Sequence, residues 1–359
     1  MIILKKALSV ILVLSVLMGM FAICATAADT DTTLTTAEKS MLKIQRVDAD
    51  GDGSYSTADA KKLLQAAAGI IENADGEQYD VNFDGAVSIS DAQETLRIVS
   101  GISPVLTQSE ALELFNAEIN TVKSVRPGFE KTATVVCPSI KITTTNAPIA
   151  DMNVTDLEFD KYVDKIIKLM NTFPYNVALN DEMKAQLNEM KVQAEEAYEP
   201  QTSEKTVAKH SNSHYSYFPV NNLGWSSKLT VADISGAACK VVDGSIVYTI
   251  TLPDVTYVGD EYPTGSSGFA KRQTLPYGKV FTIPALDESD GSTVNKVVFK
   301  KGKVVLRQDV LTGDILSADY SYTYISEVMA PPQEDSELTM KTATTANLTE
   351  NYIMNRVTV

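Results

Sequence analysis

The sequence predicts a multidomain chain, in which a small all-α unit built from a duplicated loop-helix repeat precedes an α+β domain with a long antiparallel sheet. Two observations indicate this architecture. An acidic segment recurs at an offset of 32 residues together with the helical pattern behind it, and from Lys228 onward apolar and polar residues alternate at period two. At 359 residues and 44% hydrophobic composition, the chain is long enough for two or three domains with cores of their own.

The first residues have the three-part pattern of a secretory signal peptide. Lys5 and Lys6 precede an apolar run over residues 7–23, and small residues follow it. We therefore expect residues 1–27 to be a signal peptide that is cleaved after Ala27. The mature protein is then expected to be secreted, either extracellular or held at the cell surface through a partner.

The mature chain is predicted to be strongly acidic and to contain no membrane segment. Removal of the signal takes two lysines away, so the net charge becomes 29 minus 46, or −17. This charge argues against nucleic acid or anionic lipid as partners and suits a protein that binds cations. Residues 28–43 are expected to be a linker, and no later apolar stretch approaches the roughly 20 residues that cross a bilayer. Lipid attachment at Cys24 is disfavoured by Ile23, because such sites take a small residue there.

Two cysteines, Cys137 and Cys239, remain after cleavage. An oxidising compartment permits a disulfide between them, but isolated cysteines are also common as buried apolar residues. Their distance decides between the two interpretations, and the sequence leaves both open.

The repeated segment has the chemistry of a cation-binding loop. Residues Asp48–Asp59 recur as Asp80–Asp91, with oxygen-bearing side chains at positions 1, 3 and 5, a glycine at position 6 and a carboxylate at position 12. This is the pattern of an EF-hand calcium loop, in which the glycine permits a sharp turn and the carbonyl of position 7 adds a ligand. We therefore predict two calcium ions, with Ser56 and Ser88 placed to hold a water. The predicted ligands are Asp48, Asp50, Asp52, the carbonyl of Ser54 and Asp59 in the first copy, and Asp80, Asn82, Asp84, the carbonyl of Ala86 and Asp91 in the second.

The second half of each repeat predicts a helix. Alanines and leucines follow each loop, and Gly69 and Gly101 stand where a glycine ends a helix. A standard EF-hand also has a helix before the loop and a Glu at position 12. Here the segment Leu42–Val47 is too short for a full entering helix, and position 12 is Asp.

With these two departures and the duplication, residues 44–103 resemble a type I dockerin. The resemblance implies a small domain that folds with calcium and binds a cohesin domain of a scaffold protein. It also implies which positions contact the partner, although the Ser-Thr and Lys-Arg pairs common in the family are missing, so partner specificity does not transfer. For Leu64 and Leu96 we favour burial in the helix core over partner contact. The implied partner positions are Thr57, Ala58, Leu64, Gln65, Ile89, Ser90, Leu96 and Arg97.

Residues 105–359 are predicted to form the α+β domain, and they resemble no family. Capping signals at residues 107–110 begin a helix that extends to about Ser124, and two further helices are predicted over 158–170 and 181–197. The strands predicted behind Lys228 start with a hairpin over 238–242 and 245–252, joined by an Asp243-Gly244 turn. They continue as segments 296–300, 303–310 and 315–327, with turns at Lys301-Gly302 and at 312–314, and end in an edge strand over 340–348.

No catalytic residue can be identified in this domain. His210 and His214 have helical spacing for a shared metal, but the polar residues around them favour a solvated loop. Four acids lack any distinguishing context and are expected at the surface: Asp254, Asp260, Glu261 and Asp309. One tryptophan with four tyrosines could form a sugar platform, although core packing is favoured; these are Trp225, Tyr215, Tyr217, Tyr257 and Tyr262.

Three functions remain open at this point. The favoured one is a secreted calcium-dependent docking protein that attaches its C-terminal domain to a cohesin-bearing assembly such as a cellulosome-like complex. The first alternative is a polysaccharide-degrading enzyme, an O-glycosyl hydrolase, that carries a dockerin. The second alternative is a calcium-stabilised extracellular structural protein without a cohesin partner.

Overall fold

The computed structural model describes residues 34–71, 76–172, 181–212, 217–218, 226–286, 288–331 and 337–354. The predicted signal peptide lies outside the described residues, as do His214, Tyr215 and Trp225.

The region predicted to be a linker contains most of a helix. Helix α1 spans Thr36–Val47 and begins at a capping box, in which Thr35 and Glu38 satisfy each other's backbone N–H groups. The predictions of a linker over residues 28–43 and of a short entering segment are therefore wrong for the described residues, which begin at residue 34. The first acidic loop is entered by a helix of 12 residues.

The helices behind the two loops lie where the repeat predicts them. Helix α2 spans Thr57–Ala67 and helix α3 spans Ile89–Val99, with a single helical turn at Gly76–Tyr79 between them. The two helices pack against each other.

Three longer helices follow, close to their predicted bounds. Helix α4 spans Gln108–Val125, helix α5 spans Phe159–Met170 and helix α6 spans Asp181–Glu196.

Nine antiparallel strands form one sheet, which confirms the α+β class. The main order is β2-β1-β9-β8-β7-β5-β4; β3 pairs with β1 beside β2, and β6 pairs with β7 beside β5. The strands are β1 Phe129–Thr145, β2 Val154–Glu158, β3 Gln201–Val207, β4 Gly236–Val242, β5 Ser245–Thr251, β6 Val255–Val258, β7 Thr293–Asp309, β8 Ile315–Met329 and β9 Thr339–Met354. Three strands thus precede Lys228, where the alternating pattern was expected to begin.

The β4–β5 hairpin confirms the turn predicted from its sequence. Asp243 and Gly244 both have positive φ, at 49° and 70°, as a two-residue type I′ turn requires. The turn aligns Val242 with Ser245 and sets the register of the whole hairpin.

The turn predicted at Lys301-Gly302 is wrong, because β7 continues through these residues with an irregularity in its pairing to β8. Gly302 donates its N–H to the Tyr277 hydroxyl at 2.9 Å, and a Cβ at this position would come within 2.7 Å of the Tyr277 ring. The glycine is required by a distant aromatic side chain, and sequence alone cannot distinguish this from a turn glycine.

The predicted edge strand is also wrong in its place and length. Strand β9 lies between β1 and β8 and pairs with both along most of its length. Its alternating small and polar residues therefore belong to the middle of the sheet.

The buried residues of the loop-helix unit and of the sheet form one continuous core. Ile44 of α1, Phe115 of α4 and Tyr248 of β5 belong to the same cluster and are at most 1% exposed. Helix α4 connects the two parts, because it packs against α1 on one side and against β4 and β5 on the other. The loop-helix unit is thus packed onto the α+β domain.

A buried polar network lies where α4 meets the sheet. The Gln308 amide donates to the Glu118 carboxylate at 2.8 Å, and the Tyr248 hydroxyl donates to the Gln308 amide oxygen at 2.6 Å. Burial raises the pKa of Glu118 to about 7, and the hydrogen bond from Gln308 only partly opposes this shift.

We expect Glu118→Gln to stabilise the protein near pH 8 but not near pH 5. The folded-state pKa of about 7 exceeds the ordinary 4.5, so the folded chain holds this proton more tightly and loses stability as the pH rises through that window. The substitution removes the buried charge and keeps an acceptor for Gln308, which should gain up to about 3 kcal/mol. Urea unfolding of both proteins at the two pH values measures the gain, and an equal gain at both would contradict the assignment.

Candidate metal loops

The first acidic loop is wound around one carboxylate. Asp48 accepts backbone N–H groups from Gly51 at 3.0 Å, Asp52 at 3.1 Å and Gly53 at 3.0 Å. Gly53 has a φ of +82°, which lets the chain turn sharply behind these bonds. This winding places the side chains of positions 1, 3 and 5 on the same side.

The second loop repeats the arrangement 32 residues later. Asp80 accepts the N–H groups of Asp84 at 3.1 Å and Gly85 at 3.0 Å, and Gly85 has a φ of +86°. The Asn82 amide donates to the Asp84 carboxylate at 3.1 Å, so the side chains of positions 3 and 5 also meet. The sequence repeat is therefore also a structural repeat.

The carboxylates at position 12 are fully buried and tie each loop to its helix. Asp59 accepts the N–H groups of Asp50 at 3.2 Å and Ser56 at 2.7 Å. Asp91 likewise accepts from Asn82 at 3.2 Å and from Ser88 at 2.8 Å.

The serines at position 9 cap the N-termini of the helices behind the loops. The Ser56 hydroxyl accepts the Ala58 N–H at 3.0 Å, and the Ser88 hydroxyl accepts the Ser90 N–H at 3.2 Å. The sequence predicts that these serines hold a water, but it does not predict that they cap the helices.

The three aspartates Asp48, Asp50 and Asp52 form a cluster that could hold a metal ion. Each offers one carboxylate oxygen, and these oxygens lie within 4.8 Å of one another. Burial raises the pKa of Asp48, and the charges of Asp59 and Asp52 raise it further, while the N–H of Gly53 opposes the shift. A cation between these oxygens would offset the carboxylate repulsion, which adds to the larger effect of burial on this pKa.

The backbone at position 7 is held in the same way in both copies. Ser54 donates its N–H to Asp52 at 2.8 Å, and Ala86 donates its N–H to Asp84 at 2.9 Å. The backbone next to each predicted carbonyl ligand is thus held by the carboxylate of position 5.

Helix α1 also holds the second loop, which the sequence did not predict. Arg46 donates to the backbone carbonyl of Asp80 at 2.5 Å, and its guanidinium lies 4.3 Å from the centre of the Phe83 ring. Lys43 reaches Glu94 of α3 at 3.5 Å. The capping box at Thr35 was the available sequence signal for this helix.

The predicted partner positions lie on the surface, except that Gln65 is half-buried. Leu64 is 42% exposed and Leu96 is 41% exposed, so the expectation that they are core residues is wrong. Their neighbours Leu63 and Thr95 are both fully buried.

The other candidate residues do not form a catalytic site among the residues described. His210 lies in a loop, where its N–H donates to the Arg126 carbonyl at 2.9 Å. Tyr257 and Tyr262 are 9% and 2% exposed, so they are core residues and not a sugar platform. Tyr217 packs edge-on against the Phe129 ring at 5.0 Å.

Three of the four candidate acids accept backbone N–H groups. Asp254 accepts the Lys301 N–H at 3.2 Å, Glu261 accepts the Val258 N–H at 2.8 Å, and Asp309 accepts the Leu311 N–H at 2.9 Å. The fourth acid, Asp260, is exposed at a polar surface pocket of about 320 Å³.

A second carboxylate at this pocket belongs to Glu288, which is already engaged. It accepts the Thr264 hydroxyl at 2.7 Å and the Val294 N–H at 2.8 Å. These contacts give Glu288 a structural role, and the pocket does not favour a hydrolase.

No protein-family model, curated protein or solved structure matches this chain. Within the parts of the chain that the structure describes, the helices are too short or too polar to cross a membrane.

We expect Asp59→Asn to destabilise the metal-free protein by about 1–3 kcal/mol, because the new amide nitrogen cannot accept one of the two N–H groups that the buried Asp59 carboxylate accepts. Asp50→Asn is the matched control: Asp50 is exposed and accepts one N–H, from Asp52 at 3.1 Å, which an asparagine oxygen can also accept. Urea unfolding in excess chelator measures both variants. Equal stability of the two would show that Asp59 does not hold the loop.

We also expect both cysteines to be free thiols. Cys137 is in β1 and Cys239 is in β4, five strand spacings apart or about 24 Å across the sheet, whereas a disulfide needs Cα atoms within about 7 Å. Burial raises the pKa of Cys239 to about 12, so only Cys137 should react readily with a thiol reagent in the folded protein. Mass spectrometry of labelled protein, native and denatured, gives the count, and an intact disulfide would contradict the strand order.

Proposed function

We propose that this protein is a secreted, calcium-dependent docking protein. Its two loop-helix repeats bind Ca²⁺ and present helix surfaces to a cohesin-type partner, which attaches the α+β domain to an extracellular assembly of the cellulosome type. The observation that carries the proposal is that both loops share a set of internal hydrogen bonds, with the aspartates of position 1 and position 12 accepting backbone N–H groups in each copy.

The donor set supports calcium over other cations. Carboxylates, an amide oxygen and a backbone carbonyl are hard oxygen ligands, and Ca²⁺ takes six to eight of these in a flexible loop. Residues 44–103 carry eleven acids against four basic residues, a net charge of −7. Two Ca²⁺ ions would reduce this charge to −3.

The two loops should differ in affinity. The first contains four carboxylates at its predicted ligand positions, while the second contains three, because Asn82 replaces the aspartate of position 3. The Arg46 guanidinium also lies against the second loop. Since affinity follows the charge of the ligands, we expect the first loop to bind its ion more tightly.

Exposed apolar side chains on the loop-helix unit support a protein partner. Five of them are between 41% and 71% exposed: Leu64, Ile70, Ile89, Leu96 and Ile102. Burial of such side chains is the main source of association energy between proteins.

Calorimetric titration of the full chain with Ca²⁺ tests the first half of the proposal. We expect two bound ions, with Asp48→Ala removing the tighter site and Asp80→Ala removing the weaker one. A protein that binds no calcium would overturn the proposal.

Binding of the calcium-loaded chain to a panel of cohesins tests the second half. We expect Leu96→Asp to weaken binding at least tenfold, since it places a charge in the apolar surface. Val192→Asp is the matched control, because Val192 is 50% exposed on helix α6. Two bound ions without any cohesin partner would instead indicate a calcium-stabilised structural protein.

A further inference from the structure

The two loops are alike internally but differ in what surrounds them. Gly53 is buried, and its carbonyl accepts the N–H of Gly244 in the β4–β5 turn at 3.0 Å. Gly85, at the same position of the second loop, is exposed. A Cβ at Gly53 would lie 3.0 Å from the Gly244 Cα, whereas a Cβ at Gly85 would meet nothing within 4 Å.

The contact at Gly53 extends into the sheet through the backbone. The Gly244 carbonyl accepts the N–H of Val310 at 3.1 Å, directly behind the last residue of β7. The turn residue is therefore held by the loop on one side and by the end of β7 on the other.

The same contact orients the peptide group next to a predicted ligand. The Gly53 carbonyl and the Ser54 N–H belong to one planar peptide, so the bonds to Gly244 and to Asp52 fix this plane from both ends. The carbonyl of Ser54 follows directly. A cation that orders this segment would therefore also order the Gly53 carbonyl, which accepts the Gly244 N–H.

An aromatic residue of the first loop adds to the packing. Tyr55 packs against the core cluster that contains Cys239 and Tyr248 of the hairpin, and its hydroxyl donates to the Ile44 carbonyl at 2.9 Å. Val87 occupies this position in the second loop and lacks the hydroxyl.

We propose that the first loop is an intramolecular clasp: with its cation bound, it holds the β4–β5 hairpin and the end of β7 through Gly53 and Gly244, while the second loop binds its cation without effect on the sheet. The inference rests on the proposed calcium function. Ion binding at the first loop then stabilises the α+β domain and fixes the docking unit to it. By linkage, the hairpin raises the ion affinity of the first loop by the same factor.

Hydrogen exchange of the full chain, with and without calcium, tests the clasp at the Gly244 and Val310 amides. Gly53→Ala and Gly85→Ala form a matched pair, because both glycines have nearly the same φ, +82° and +86°, and the backbone strain of alanine is therefore shared. We expect calcium to slow exchange at both amides by about tenfold or more in the parent and in Gly85→Ala, and much less in Gly53→Ala.

A second pair of variants keeps the test valid if Gly53→Ala does not fold. Asp52→Ala and Asp84→Ala remove the position 5 ligand from the first and the second loop, respectively. Calcium should protect the hairpin amides in Asp84→Ala and not in Asp52→Ala.

Calorimetry on the same samples separates the two levels of the inference. If calcium binds but leaves the Gly244 and Val310 amides unchanged, the clasp is wrong and the calcium function stands. If the two variants of a pair lose protection equally, the assignment to the first loop is wrong. If no calcium binds at all, the proposed function itself fails.

Discussion

The convergence of carboxylates inside two tightly wound loops is the constraint on which the loop-helix unit depends. Each loop turns its backbone N–H groups toward the aspartate of position 1 and toward the buried aspartate of position 12. These bonds set the direction in which α2 and α3 leave the loops and hence which faces of the helices meet solvent. The same winding brings Asp48, Asp50 and Asp52 together, where their mutual repulsion opposes the fold and a bound cation would offset it.

The loop-helix unit shares one hydrophobic core with the α+β domain that we propose it attaches to a partner. Helix α1 packs against α4, and α4 packs against β4 and β5, so apolar burial runs from Ile44 to Tyr248 without interruption. A module on a flexible linker samples many orientations, whereas a module with a shared core has one. The exposed surface around Leu64 and Leu96, which we propose as the partner surface, therefore keeps a fixed direction relative to the sheet.

The features that sequence predicted well are those with local causes. The loops follow from side-chain spacing, α2 and α3 from helix-forming residues that end at Gly69 and Gly101, α4 from its capping signals, and the β4–β5 turn from the Asp243-Gly244 pair. The failures have causes far away in the chain. Gly302 continues a strand because the Tyr277 ring packs against it, and β9 is central because β1 and β8 pair along its two sides. Leu64 and Leu96 fit the helical spacing of core residues, but the helices turn Leu63 and Thr95 toward the core instead. No local pattern distinguishes these cases.

Duplication of a sequence does not give its two copies the same physical role, because the surroundings of each copy are not duplicated. Most hydrogen bonds within the first loop recur in the second, yet Gly53 contacts the β4–β5 hairpin whereas Gly85 is exposed to solvent. Arg46 adds a second asymmetry, since the helix that enters the first loop contacts the backbone of the second. Symmetric use of the two copies would require symmetric neighbours, and the β4–β5 turn contacts Gly53 but not Gly85. Under the proposed calcium function the free energy of cation binding would therefore be divided unequally: the first loop would couple it to the sheet, and the second to the helices of the proposed partner surface.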